Sequence, residues 1–124
     1  MSVPVSGGCL CGAVRFEARV HKREVRACTC TQCLSQNSGP WLDVPSADNI
    51  AWQGMPKVYR SSDHATRGFC PRCGSTIYWQ EDGEQPALSH GAMDDRDGWR
   101  LLSPIEHVDT QPDAYRVVAE GGAA

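Results

Sequence analysis

Seven cysteines in three groups constrain this 124-residue chain more than any other feature. They fall at Cys9 and Cys11, at Cys28, Cys30 and Cys33, and at Cys70 and Cys73. An odd count leaves one thiol over in any disulfide framework. The opening residues, MSVPVSGG, carry neither the basic region nor the apolar run of an export signal. The chain therefore reads as cytoplasmic with reduced thiols, since cytosolic disulfides are rare. Metal ligation is the stronger account of the cysteines.

The spacing divides them. FCPRCG (69–74) is a Cys-x-x-Cys knuckle, in which backbone N–H groups turn toward both sulfurs. Pro71 presets one dihedral of that turn, and Gly74 can take the left-handed conformation that closes it. GGCLCGAV (7–14) offers a second pair, with glycines that let the backbone bend around a metal. Cys9, Cys11, Cys70 and Cys73 together make a closed Cys₄ zinc site. Such a site staples a small, loop-rich core over about 60 residues of chain.

CTCTQC (28–33) is left with three thiolates and no fourth cysteine. Three protein ligands plus one open position is the pattern of catalytic zinc, which lowers the pKa of a bound thiol or water and polarises a carbonyl. Two other readings stay open at this point. One of His21, His64, His90 and His107 closes a Cys₃His site, or the three are buried or redox-active thiols without metal. The histidines are dispersed and lack H-x₃-H spacing, which suits surface or packing residues.

Around these motifs the sequence is β-like. Val14, Phe16, Ala18 and Val20 alternate with Arg15, Glu17 and Arg19, a half-buried strand by period two. VRAC (25–28), WLDV (41–44), KVYR (57–60), STIYW (75–79) and IEHVD (105–109) are further short strands, separated by turn clusters such as SGP and EDGEQP. At most one short helical turn is expected, after Cys33 or near SADNI (46–50). A hydrophobic fraction of 40% with 12 glycines and 8 prolines supports one modest core, so residues 1–124 read as a single domain with a frayed end at 120–124.

Composition also excludes classes. A net charge of −3 lacks the basic footprint of nonspecific nucleic-acid binding. No stretch approaches the roughly 20 apolar residues of a membrane helix. Nucleophile-elbow, P-loop and dinucleotide fingerprints are missing. Ser35 and Ser38 lie beside the triad without an obvious base. Trp41, Trp52, Trp79 and Trp99 read most simply as core or rim aromatics; a wall for a pocket over the metal is the second reading, with Trp41, close to Cys33, its first candidate. Arg67 and Arg72 flank the knuckle, as solvated side chains or as partners for a substrate carboxylate.

Taken in order, G-x-C-x-C-G-x-V, C-x-C-x-x-C with Ser38-Gly39, and RGFCPRCGS (67–75) resemble the glutathione-dependent formaldehyde-activating enzyme family, which includes centromere protein V. Gly54, Tyr59 and PIEHV (104–108) match as well, so the likeness runs from Gly7 to about Tyr115. It implies a mainly β fold of several small antiparallel sheets, a β-tent. It implies a structural zinc on Cys9, Cys11, Cys70 and Cys73 and a catalytic zinc on Cys28, Cys30 and Cys33. The implied reaction joins formaldehyde to glutathione as S-hydroxymethylglutathione, which makes a carbon–sulfur lyase with a small thiol and an aldehyde as partners. The chain departs at Thr29 and Leu34, where members often carry histidine and arginine. The competing functions are a non-enzymatic zinc-binding interaction module and a thiol redox sensor. Either a monomer or an edge-paired homodimer fits the strands.

Overall fold

A computed structural model describes residues 2–102. The elements are β1 (Val3–Gly8), β2 (Arg15–Val20), β3 (Glu24–Cys28), α1 (Thr31–Asn37), β4 (Trp41–Val44), β5 (Ala47–Gln53), β6 (Lys57–Arg60), β7 (Ala65–Phe69), β8 (Thr76–Glu81), β9 (Ala87–Ser89), a short 3-10 turn (His90–Ala92) and β10 (Arg100–Leu101). They form two sheets, one ordered β1-β2-β5 and one ordered β10-β3-β4-β9-β8-β7-β6. All pairings are antiparallel except β10 with β3. The mainly β architecture holds, with the larger sheet seven strands wide and one parallel pair at its edge.

Alternation explains how the sheets meet. In β2, Phe16, Ala18 and Val20 are buried while Glu17 is exposed. Phe16 packs edge-on against Trp52 of β5, at 5.7 Å between ring centroids, and Trp52 in turn lies 5.8 Å from Tyr78 of β8. The core therefore runs from the small sheet to the large one and includes Val25, Val44, Ile77 and Leu88. Full burial of each such side chain stabilises by about 1.5–3 kcal/mol. Across the large sheet, Val44, Leu88, Tyr78 and Gly68 are successive cross-strand partners on this core face. Gly68 is required there, because a Cβ would lie 2.1 Å from the Tyr78 ring.

The intervening positions point the other way. Cys28 opposite Trp41, Arg26 opposite Asp43, and Arg67 opposite Trp79 opposite Ala87 occupy the second face of the sheet, against which α1 lies.

VRAC, WLDV and KVYR lie in β3, β4 and β6, and STIYW lies in β8 after its first residue. Five strands escape the alternation rule, the two-residue β10 among them. β1 has two exposed residues at its start and two glycines at its end. β5 has only Ile50 and Trp52 as large inward side chains, after a start of Ala47, Asp48 and a positive-φ Asn49 that reads as a turn, and β9 is three residues long. β7 (ATRGF) conceals its pattern by burying an arginine. The helix also differs from expectation: it begins before Cys33 and includes it, while Ala47–Ile50 of SADNI are strand. Only Cys33 of α1 is buried, so no apolar stripe marks it; the Cys30 side chain starts it by accepting the Cys33 N–H. IEHVD, His107, Tyr115 and the tail at 120–124 fall outside the described residues. Among those described, no helix is long and apolar enough to cross a membrane.

Candidate functional site

Two cysteine clusters form, divided as the spacing suggested: Cys9, Cys11, Cys70 and Cys73 in one, Cys28, Cys30 and Cys33 in the other. Within each, the sulfurs all lie within 4.8 Å of one another, and all seven thiols are free.

The first cluster joins the turn between β1 and β2 to the turn between β7 and β8. Cys9 Sγ lies 3.7 Å from Cys11 Sγ, which lies 3.8 Å from Cys70 Sγ. A zinc–sulfur bond of about 2.3 Å in a tetrahedron requires sulfurs about 3.8 Å apart, so these spacings fit a metal. The backbone supports the same state. The N–H groups of Arg72 and Cys73 donate to Cys70 Sγ at 3.3 and 3.4 Å, and that of Val14 donates to Cys9 Sγ at 3.2 Å. Gly74 takes φ +81°, as the knuckle demands. The Ser75 hydroxyl, 3.2 Å from Cys73 Sγ, pulls the Cys73 thiol down to about 5, with backbone N–H groups helping. In Cys11 the Ala13 N–H pulls downward, but burial and the neighbouring thiols outweigh it and push it up to about 11. Four thiolates this close repel unless a cation lies among them.

The second cluster is carried by the end of β3 and the start of α1. Cys28 is the last residue of β3, Cys30 is the helix N-cap and Cys33 lies in the first turn, where its N–H donates to Cys30 Sγ at 3.5 Å. Burial pushes the Cys28 thiol up to about 12. Burial also raises Cys33, against the pull of Arg67, whose Nη2 donates to Cys33 Sγ at 3.6 Å. Cys30 is lowered: burial opposes, and the Cys33 N–H with the neighbouring thiols prevails. Three sulfurs with this spacing can hold a divalent metal.

No histidine among the described residues joins them. His21 pairs with Asp48 at 3.1 Å and His90 lies 3.2 Å from the Arg96 carbonyl. His64 reaches the lining of the adjoining cavity but stands apart from the triad. The described residues thus offer no ligand for the Cys₃His reading.

The three thiols line a cavity of about 450 Å³. Trp41 and Trp79 wall it, although core or rim was the simpler expectation for both. The Trp41 indole donates to Ser89 Oγ at 2.9 Å, and that hydroxyl donates to the Thr76 carbonyl at 2.9 Å, which holds the ring in place. Arg26 and Asp43 form an ion pair at 2.7 Å in the wall. Arg67 and Arg72 part company. Arg72 is exposed, whereas Arg67 is 3% exposed and faces the thiols, because its position on β7 alternates inward. Trp52 is core, and Trp99 packs against Arg23 and His90. Ser35 is exposed, and Ser38 ends α1 at φ +58°. Neither Thr29, which is buried, nor Leu34 lines the cavity. Arg26, Asp43 and Trp79 come from three strands, and no local pattern links them.

A small β protein with a four-cysteine cluster bridging two turns and a three-cysteine cluster in a cavity is a narrow class. This chain belongs to the glutathione-dependent formaldehyde-activating enzyme family, whose sequence model it matches over residues 4–109. It is 30% identical over 120 residues to an uncharacterised lyase of Schizosaccharomyces pombe, covering 88% of this chain and 82% of that one. A segment is 26% identical over 98 residues to an isoleucine–tRNA ligase of Cutibacterium acnes, which spans 69% of this chain but 8% of the ligase. A crystal structure of a Rhodobacter sphaeroides protein shares the fold, with TM-score 0.58 and 18% identity over 78% of this chain and 99% of that one.

Proposed function

We propose that the protein is a zinc-dependent carbon–sulfur lyase acting on a small thiol–aldehyde adduct of the glutathione and formaldehyde type. Cys28, Cys30 and Cys33 hold the catalytic zinc, and Cys9, Cys11, Cys70 and Cys73 the structural one. The observation that carries the reading is the three-thiol cluster lining a cavity of about 450 Å³ with no fourth protein ligand among the described residues. Membership of the family and the lyase relative support the reaction class.

Zinc at the triad supplies Lewis acidity, which stabilises a thiolate at neutral pH. The chain does the rest. Trp41 and Trp79 narrow the cavity and exclude water from the reacting atoms. Cys30, anchored by the Cys33 N–H, and Cys28, at a strand end, hold the ligand sulfurs in place. The substrate sulfur adds to the carbonyl carbon, a C–S bond forms, the C=O π bond opens and the thiol proton finishes on oxygen. No electron leaves or enters. The reverse elimination is the lyase direction.

The test follows exchange between free thiol, formaldehyde and hydroxymethyl adduct by NMR, against the spontaneous background. Wild-type protein accelerates it; Cys30→Ser folds, retains one zinc and falls to background. Full activity in that variant sinks the proposal.

A further inference from the structure

Arg67 is the side chain that the fold explains least. It sits on β7 between Tyr59 of β6 and Trp79 of β8, with 3% of its surface exposed. Among the described residues it has no ion pair with a carboxylate. Nη2 donates to Cys33 Sγ at 3.6 Å and to Gln32 Oε1 at 3.4 Å, while buried Nε and Nη1 have no partner. Gln32 is itself held, its amide donating to the Ser61 carbonyl at 3.2 Å. A buried guanidinium is strongly disfavoured without a nearby negative charge. The nearest source is the thiols.

The other basic groups of the cavity are otherwise engaged. Arg26 pairs with Asp43, whose side chain is 5% exposed, and His64 is exposed beside Asp63 and Ser62. We propose that Arg67 is the counter-charge of the Cys28–Cys30–Cys33 centre, a positioning residue acting through Cys33 that suits the cavity to an anionic thiol. This rests on the zinc reading above. Three thiolates and one Zn²⁺ carry a net −1, and Arg67 brings the half-buried centre to zero. A substrate thiolate in the fourth position then restores −1 instead of building −2, so the anionic form of the thiol is admitted to a poorly solvated site. Gln32 and Cys33 are neighbours on α1, so the same guanidinium also ties the helix bearing two of the three thiols to β7.

The test uses the full chain loaded with zinc, with Arg67→Met removing the charge and Arg67→Lys keeping it. Competition with a chromophoric chelator reads each equivalent separately, and melting is followed at one and at two equivalents. In Arg67→Met the equivalent on Cys9, Cys11, Cys70 and Cys73 is held as in wild type, and the second is weakened at least about tenfold; Arg67→Lys loses less. Melting should cross over. With one equivalent bound, Arg67→Met melts above wild type because an uncompensated buried charge is gone; with two bound it melts below. A packing role for Arg67 would lower melting at both loadings. That result, or an unchanged second equivalent, overturns the proposal. Should Arg67→Met fail to fold, Arg67→Lys decides: loss of the second equivalent despite the retained charge overturns it.

Neither readout involves turnover, so an inactive wild type that binds two zinc ions defeats the lyase reading alone. A wild type that binds one equivalent defeats both. With turnover, Arg67→Met raises KM for the thiol more than for the aldehyde.

Discussion

Single residues in this chain act mainly through backbone conformation and local charge. Gly74 is the clearest conformational case: at φ +81° it closes the knuckle, and a Cβ there meets nothing within 4 Å. The whole cost of Gly74→Ala is therefore backbone strain, about 1–2 kcal/mol, read as a lower midpoint in denaturant without a changed slope. Asp94 is the electrostatic case. The Arg15 guanidinium, with the Ser6 hydroxyl, holds its carboxyl down to about 2 and so ties β1 and β2 to the segment after the 3-10 turn. A depressed folded-state pKa adds stability above the unfolded value near 3.9, and that stability is lost as pH falls toward 2. Both side chains are more than a third exposed, so solvent screening limits the effect to about 0.5 kcal/mol. Asp94→Asn should melt slightly lower than wild type at pH 7, with the gap closing by pH 2.

At the scale of elements, β7 matters most, because its alternating residues serve two different surfaces. Gly68 admits the Tyr78 ring on the core face while Arg67 faces the thiols on the other. Gly68→Ala places a methyl inside the Tyr78 ring, and the expected loss is about 1–3 kcal/mol. Because the push is toward the core, the cysteine cavity should keep its second zinc; equilibrium unfolding with metal stoichiometry checks both. β7 was also among the elements that alternation could not reveal, since a glycine and an arginine occupy positions where it looks for large apolar side chains. β3, β4 and β8 were readable for the opposite reason: their inward positions carry Val, Trp or Ile. The helix α1 was half legible, for its cap is Cys30 and not one of the Ser, Thr, Asp or Asn residues that mark a helix start.

Across the whole molecule, the two cysteine clusters occupy different places: one lies between turns of the two sheets and the other lines the cavity. Cys11 and Cys70 are 59 residues apart, and the four-cysteine cluster joins the β1–β2 turn to the β7–β8 turn, and through them the small sheet to the large. Cys70 is fully buried at this junction and packs in the main core as well. With zinc there, Cys70→Ser should lose more than about 3 kcal/mol and unfold near physiological temperature, whereas Cys30→Ser should melt close to wild type when the two are compared at one bound equivalent. Equal melting of the two variants would overturn this assignment of roles. The two cysteine sets were legible because Cys-x-Cys and Cys-x-x-Cys are local: residues two or three apart lie on one turn whatever the rest of the chain does. The same locality made the knuckle glycine and the period-two strands readable. Arg67, Trp79 and the Arg26–Asp43 pair were not, since they meet only through the strand order β3-β4-β9-β8-β7, which local periodicity does not encode. The sequence by itself thus determined a β protein with four thiols in one set and three in another. Only the tertiary structure decided that the three line a cavity beside a buried guanidinium, because burial depends on which strands become neighbours.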